Sequence, residues 1–194
     1  MAKKKDFKFI DLFAGIGGFH IAMHENGGKC VFASEIDKFA RQTYEHNFKS
    51  KSPKLFENGN FNEDITDVKL DYKKIPDFDV LCAGFPCQPF SKAGHQNGFE
   101  DNRGNIFFDI CNIIEYHKPK YIILENVRNL SSHDKGHTWK VIKSKLKDIG
   151  YNTYNKPVIL NALYFGVPQS RERVVILCKR KDLGDLPELP LISK

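Results

Sequence analysis

Residues Gly84 to Ser91 read Gly-Phe-Pro-Cys-Gln-Pro-Phe-Ser, a thiol between two prolines directly after the apolar run Val80-Leu81-Cys82-Ala83. The run predicts a buried strand, and Pro86 ends it, because its ring fixes φ and its nitrogen carries no hydrogen. Cys87 is therefore expected at the rim of a sheet on stiff backbone, where a thiol meets a ligand. The competing reading is an inert structural cysteine in a proline-rich turn. A second candidate is Glu125 in Glu125-Asn126-Val127, expected to end the strand Tyr121-Ile122-Ile123-Leu124 at the same carboxyl edge as Cys87. A carboxyl there is expected to donate one hydrogen bond and accept another. A third group is Gln169-Ser170-Arg171-Glu172-Arg173. Alternation along an extended segment puts Arg171 and Arg173 on one side and Glu172 on the other. An arginine fork suits a carbonyl oxygen, a carboxylate or a phosphate. Each group also has a plainer reading: a capping Glu-Asn pair and a solvated Arg-Glu-Arg ladder.

A different chemistry is written near the start. Asp11-Leu12-Phe13-Ala14-Gly15-Ile16-Gly17-Gly18-Phe19 reads as a strand, a glycine turn and a helix start. Gly15, Gly17 and Gly18 let backbone approach a ligand, and the helix start offers unpaired N–H groups. In an open α/β sheet this first turn is where a nucleoside-type cofactor lies. The dinucleotide pattern G-x-G-x-x-G is broken by His20, which disfavours NAD. Ser34-Glu35-Ile36-Asp37 follows the second strand, so Glu35 is positioned to take both ribose hydroxyls. Asp64-Ile65 could supply an acceptor for an exocyclic amine and an apolar lid on a purine. The alternatives are helix capping by Asp37 and turn chemistry at Asp64. Taken in order at successive strand ends, the carboxylates favour an adenosyl ligand.

The elements that must position these groups alternate along the chain. Strands are expected at Phe9–Phe13, Cys30–Ser34, Asp64–Val68 (a short third strand or a strand end), Val80–Ala83, Tyr121–Leu124, Tyr151–Leu160 and Val174–Cys178. Helices are expected at Phe19–Glu25, Phe39–Phe48, Asn105–Tyr116 and Thr138–Ile149. This alternation predicts an α/β fold with a mostly parallel sheet and helices on both faces. One domain over residues 1–181 is expected, with 182–194 as an extended linker or tail rich in proline and leucine.

Composition narrows the classes. The 194 residues carry a net charge of +6 and 41% hydrophobic residues, ordinary for a globular domain with a polyanionic partner. No apolar run reaches bilayer-spanning length, and Met1 to Asp6 is a basic tail without the apolar core of a secretory signal. The five cysteines are scattered and odd in number, and no C-x-x-C pair occurs, so neither a disulfide framework nor a cysteine zinc site is expected. Four of them read as core fillers, which points to a reducing, cytoplasmic setting. His20 and His24 share a helical spacing and His133 and His137 lie four apart, but further ligands are not evident, so no metal is expected.

The ordered set of glycine turn, Pro-Cys loop, Glu-Asn-Val and Gln-x-Arg-x-Arg resembles the DNA cytosine-5 methyltransferases, from about Phe7 to Asp182. The resemblance implies a Rossmann-like, S-adenosylmethionine-dependent methyltransferase fold. By it, Cys87 is the nucleophile, Glu125 the acid, and Arg173, supported by Arg171, the contact to O2 and phosphate. It further implies a cofactor pocket lined by Asp11, Phe13, Ala14, Gly15, Gly17, Gly18, Glu35, Ile36, Asp64, Ile65, Pro86 and Ile106. The stretch Ser91 to Gly104 has three glycines and no periodicity, as a lid needs. In it and just before it, Gln88, Ser91, Lys92, Gln96 and Arg103, together with His95, would meet duplex DNA while the target base is swung out.

Members of that family continue into a target-recognition region and a final helix that completes the cofactor pocket. Neither is expected within these 194 residues. A two-subunit enzyme, a truncated gene and a shortened chain all lead to the same expectations. The first domain should expose an apolar strip. The chain alone should methylate DNA weakly or not at all, and a second polypeptide should restore activity, in the setting of a bacterial restriction–modification system. Two other functions stay open: methylation of cytosine in tRNA, and a non-catalytic subunit that binds cofactor or DNA.

Overall fold

The computed structural model describes residues 6–67, 71–86 and 106–189. The chain divides into two compact units, Met1–Gly84 with Asn112–Pro119, and Phe85–Cys111 with Lys120–Lys194. None of the helices among the described residues is long and apolar enough to cross a membrane.

The first unit is a parallel βα arrangement. Strands β1 (Phe7–Leu12), β2 (Gly28–Ser34), β3 (Phe61–Asn62) and β4 (Val80–Gly84) lie in the order β3-β2-β1-β4, and every pairing is parallel. Helices α1 (Gly18–Glu25), α2 (Lys38–Phe48) and the short α3 (Pro53–Glu57) make the connections. Phe9, Ile10, Leu12, Leu81, Cys82 and Ala83 are fully buried, so the two central strands are apolar on both faces. The third strand falls earlier than expected, at Phe61–Asn62 rather than Asp64–Val68. Asp64 instead closes a turn, its Oδ1 accepting from the backbone N–H and hydroxyl of Thr66 at 2.8 and 2.7 Å.

His20 is a core residue of this unit. Its ring stacks on Phe48 with centroids 3.9 Å apart, Nδ1 lies 2.7 Å from the Tyr44 hydroxyl, and Nε2 lies 3.2 Å from Ser52 Oγ. Its spacing from His24 therefore reflects core packing and hydrogen bonding. Burial, with the nearby His24 and Lys51 charges, lowers its pKa from 6.5 to about 4.

The second unit is antiparallel. Strand β8 (Glu172–Arg180) pairs along its length with β5 (Tyr121–Val127), and on its other side with β6 (Tyr151–Thr153) and β7 (Val158–Asn161). The expected single strand Tyr151–Leu160 is thus two strands. Residues 154–157 leave the ladder between them, where Pro157 has no N–H to give. Helix α5 (His137–Asp148) buries Trp139, Ile142 and Leu146. Helix α4 (Ile106–His117) contributes residues to each unit.

Two outcomes follow. Gly17 sits at φ +99, and a Cβ there would meet the Phe48 ring at 2.1 Å. Gly17→Ala should cost at least about 2 kcal/mol in urea unfolding, against roughly 1 kcal/mol for Gly59→Ala, whose backbone is also left-handed but faces open space. For His20 the unfolded chain binds a proton near pH 6.5 and the fold resists it to about 4. Its contribution is full above pH 6.5 and is lost as pH falls toward 4, on the order of 3 kcal/mol. His20→Gln should flatten the stability profile across that window, and an unchanged slope would remove His20 as its source.

Candidate active site

The first unit carries the glycine turn, the candidate ligand site, at the carboxyl ends of its strands. Leu12 ends β1, and Phe13, Gly15 and Gly17 then take φ of 56, 55 and 99. A left-handed Phe13 is strained, and strain of this kind collects at functional loops. The turn is held by the Ala14 N–H donating to the Ser34 carbonyl at 2.9 Å and the Gly17 N–H to the Ala14 carbonyl at 2.8 Å. Glu35 holds it from the neighbouring strand. Its Oε2 accepts the Gly15 N–H at 2.7 Å and its Oε1 the Asp37 N–H at 2.8 Å. Asp37 in turn caps α2 through the Ala40 N–H at 2.7 Å, the plainer of its two expected roles.

The three glycines play different parts. Gly17 is small because Phe48 fills the space a side chain would need, whereas a Cβ on Gly15 or Gly18 would meet nothing within 4 Å. Open space over these two, at the uncapped N-terminus of α1, leaves backbone available to a ligand. Ala14 and Ile65 are buried, while Ile16, Ile36 and Phe39 stand 63%, 69% and 74% exposed. These residues fit a nucleoside-type cofactor: unobstructed glycine backbone, a carboxylate whose oxygens have lone pairs to spare, and exposed apolar side chains.

Asp11 stands apart from the other candidates in this unit. It is fully buried within β1, and its oxygens have no hydrogen-bond partner among the described residues. Burial raises its pKa well above the usual carboxylate range; the His20 backbone N–H offsets this in part but falls short of a formed hydrogen bond, and Glu35 adds to the rise. The carboxyl lies beneath the turn, out of reach of the surface.

The second unit carries the carboxyl and guanidinium candidates, Glu125, Arg171 and Arg173. The strand β5 runs through Glu125 to Val127, because Glu125, Asn126 and Val127 continue the ladder opposite Val175, Val174 and Arg173. Glu125 is therefore in the strand and not beyond its end. Antiparallel register makes Glu125 and Arg173 diagonal neighbours on one face, and Arg173 Nε meets Glu125 Oε1 at 2.7 Å. Both side chains keep about a quarter to a third of their surface in solvent. Arg128 and Glu172 form a second pair alongside. Arg171 is exposed just before β8, and its backbone N–H donates to Asn161 Oδ1 at 3.0 Å.

Asn126, read from the sequence only as part of the Glu-Asn-Val group or as a cap, makes a contact that the motif did not reveal. It is 2% exposed, and its Nδ2 donates to the Phe85 carbonyl at 2.8 Å while its Oδ1 accepts the Val127 N–H. Phe85 is the last residue before the Pro86-Cys87 step, so one buried amide ties the root of that loop to the strand bearing Glu125. A buried amide in an apolar strand was the available signal. Pro86 is exposed and Ile106 opens α4. Cys87, Gln88, Ser91, Lys92, His95, Gln96 and Arg103 lie outside the described residues. Cys30, Cys82, Cys111 and Cys178 are buried, and burial pushes the Cys178 thiol up to about 12 and those of Cys30 and Cys82 upward as well. Such thiols are poor nucleophiles, in keeping with their expected place in the core.

Asn126→Ala should strand the Phe85 carbonyl and cost about 1–3 kcal/mol by urea unfolding. A loss below about 0.5 kcal/mol would show that the loop root is held by other means.

The family described as C-5 cytosine-specific DNA methylase matches residues 7–191. The chain is 48% identical over 177 residues to the Type II methyltransferase M.HhaI of Haemophilus parahaemolyticus, covering 91% of this chain and 50% of that protein. It is 50% identical over 185 residues to M.HpaII of Haemophilus parainfluenzae, covering 93% and 48%. The chain thus spans about half the length of the curated relatives it matches. Among solved structures, DNMT2 of Spodoptera frugiperda superposes with a TM-score of 0.69 at 29% identity, over 91% of this chain and 51% of that one. Dnmt2 of S. pombe gives 0.67 at 26%, over 93% and 53%. The fold is the α/β, Rossmann-like fold of these methyltransferases, and the chain belongs to the C-5 cytosine-specific DNA methylase family.

Proposed function

We propose that this chain is the catalytic part, residues 1–181, of an enzyme that methylates carbon 5 of cytosine in duplex DNA, in a bacterial restriction–modification system. The observation that supports this most directly is the Asn126 bridge. It joins the root of the Pro-Cys loop to the strand carrying Glu125, which is itself paired with Arg173. The family description favours DNA over tRNA as substrate.

Carbon 5 of cytosine is a poor nucleophile in an aromatic ring, and the proposed chemistry overcomes this by covalent addition. The Cys87 thiolate forms a bond to C6, and electron density moves to C5 as Glu125 hydrogen-bonds N3 and the exocyclic amine. Arg173 has five N–H donors, enough to orient Glu125 and still meet O2, with Arg171 supplying a phosphate contact. S-adenosylmethionine would be held by the glycine turn, Phe13, Glu35, Ile36, Asp64 and Ile65, and would supply the methyl group and leave as S-adenosylhomocysteine. Loss of the C5 proton to a base then expels the sulfur from C6 and restores the ring. Gln88, Ser91, Lys92, Gln96 and Arg103 hold the duplex around the flipped base.

The chain matches about half the length of these relatives, and we propose that target recognition lies in a part equivalent to their unmatched half, which a second polypeptide can supply. With such a polypeptide present, 5-fluorocytosine duplex DNA should trap a covalent adduct on the wild-type chain and none on Cys87→Ser. Glu125→Gln should slow methyl transfer by about 10²–10⁴-fold. An adduct on Cys87→Ser would refute the nucleophile assignment. Cofactor binding without any adduct on the wild type would favour a non-catalytic subunit.

A further inference from the structure

The turn between β7 and β8 presents apolar side chains on ordered backbone. Asn161, itself 9% exposed, organises it: Oδ1 accepts the N–H groups of Leu163 and Arg171 at 3.1 and 3.0 Å, and Nδ2 donates to Ser170 Oγ at 3.3 Å. The Ala162 N–H donates to the Arg171 carbonyl at 3.1 Å, and the Gln169 N–H to the Val167 carbonyl at 2.7 Å. A 3₁₀ turn over Ala162–Phe165 follows. From this tethered base, Leu163, Tyr164, Phe165 and Val167 project with 45–55% of their surface exposed, and Ile159 of β7 is exposed beside them.

Large apolar side chains held out by backbone with its hydrogen bonds satisfied mark an interaction surface. The charge pattern selects the kind of partner. No residue from Pro157 to Ser170 is charged, although the whole chain carries +6. A surface that binds phosphates carries Lys or Arg, whereas a protein interface core is depleted of charge and enriched in aromatic anchors. The loop also ends at Arg171 and Arg173, so whatever covers it is fixed next to the proposed base contacts. The exposed Ile16, Ile36 and Phe39 belong to the cofactor face already described.

We infer that the loop Ile159–Val167 is the docking surface for the target-recognition part equivalent to the half of the relatives that this chain does not match. This rests on the reading of the chain as the catalytic part of a methyltransferase. Tyr164 and Phe165 are its anchors, and docking there sets the target-recognition part against the arginines that precede and open β8.

The test uses the unmatched half of M.HpaII, expressed as a separate polypeptide, as the probe for the 194-residue chain. Calorimetry should show a complex, and amides of residues 159–167 should gain protection from hydrogen exchange within it. The double variant Tyr164→Ser/Phe165→Ser should bind at least about tenfold more weakly while keeping its circular dichroism and unfolding midpoint, because both side chains start exposed. Leu189→Ser, a change at an exposed apolar residue elsewhere, should bind as wild type. Absence of a complex, equal binding by the double variant, or self-association of the chain that the double variant abolishes would each overturn the assignment. Docking at the loop without methyl transfer by the mixture would leave the surface standing and count against the proposed activity. Methyl transfer untouched by the double variant would do the reverse.

Discussion

A loop that leaves a sheet to do chemistry strips its own backbone of ladder partners, and each lost hydrogen bond must be replaced. In this chain single polar side chains provide the replacement at three places. Glu35 accepts two N–H groups around the glycine turn. Asn126 donates to the carbonyl at the root of the Pro-Cys loop. Asn161 serves both ends of the β7–β8 turn. Each stands at or near the end of a strand, so the rigid ladder positions the loop through one side chain. Removing any of them costs more than one contact, because a polar group is left without a partner.

The two units place different chemistry by different geometry. Parallel strands in the first unit bring successive carboxyl ends to one edge, where Glu35 and Asp64 follow in chain order and the glycine turn lies open. Antiparallel strands in the second bring residues far apart in sequence face to face, so Glu125 and Arg173 meet as a diagonal pair. An ion pair at 2.7 Å with both partners partly solvated adds little stability. Its value is orientation: it holds a carboxyl and a guanidinium where a polar ring could meet both.

The buried polar groups of the first unit show how function and packing share one core. His20, Tyr44 and Ser52 satisfy one another, with His20 kept neutral by burial. Asp11 does not share in that network, and its oxygens have no hydrogen-bond partner among the described residues. Gly17 is bound to the same cluster through Phe48, so the shape of the turn and the packing of the aromatic core cannot be changed independently.

Much of this was legible in the residue order. Alternating apolar runs and helical stretches marked the strands and helices because burial imposes period on a chain, and the Pro-Cys, Glu-Asn-Val and Arg-Glu-Arg groups stood out as local patterns. Asp37 and Asp64 reveal their turn and cap roles through neighbours two and three residues away. Contacts that join distant residues left no such trace. The break between β6 and β7 and the extension of β5 through Glu125 depend on strand register, and the Glu125–Arg173 pair and the Asn126 bridge join residues 48 and 41 positions apart in sequence. The residue types that could do chemistry were therefore written locally. Which of them face one another, and which side chains hold their loops, was decided only when the ladders formed.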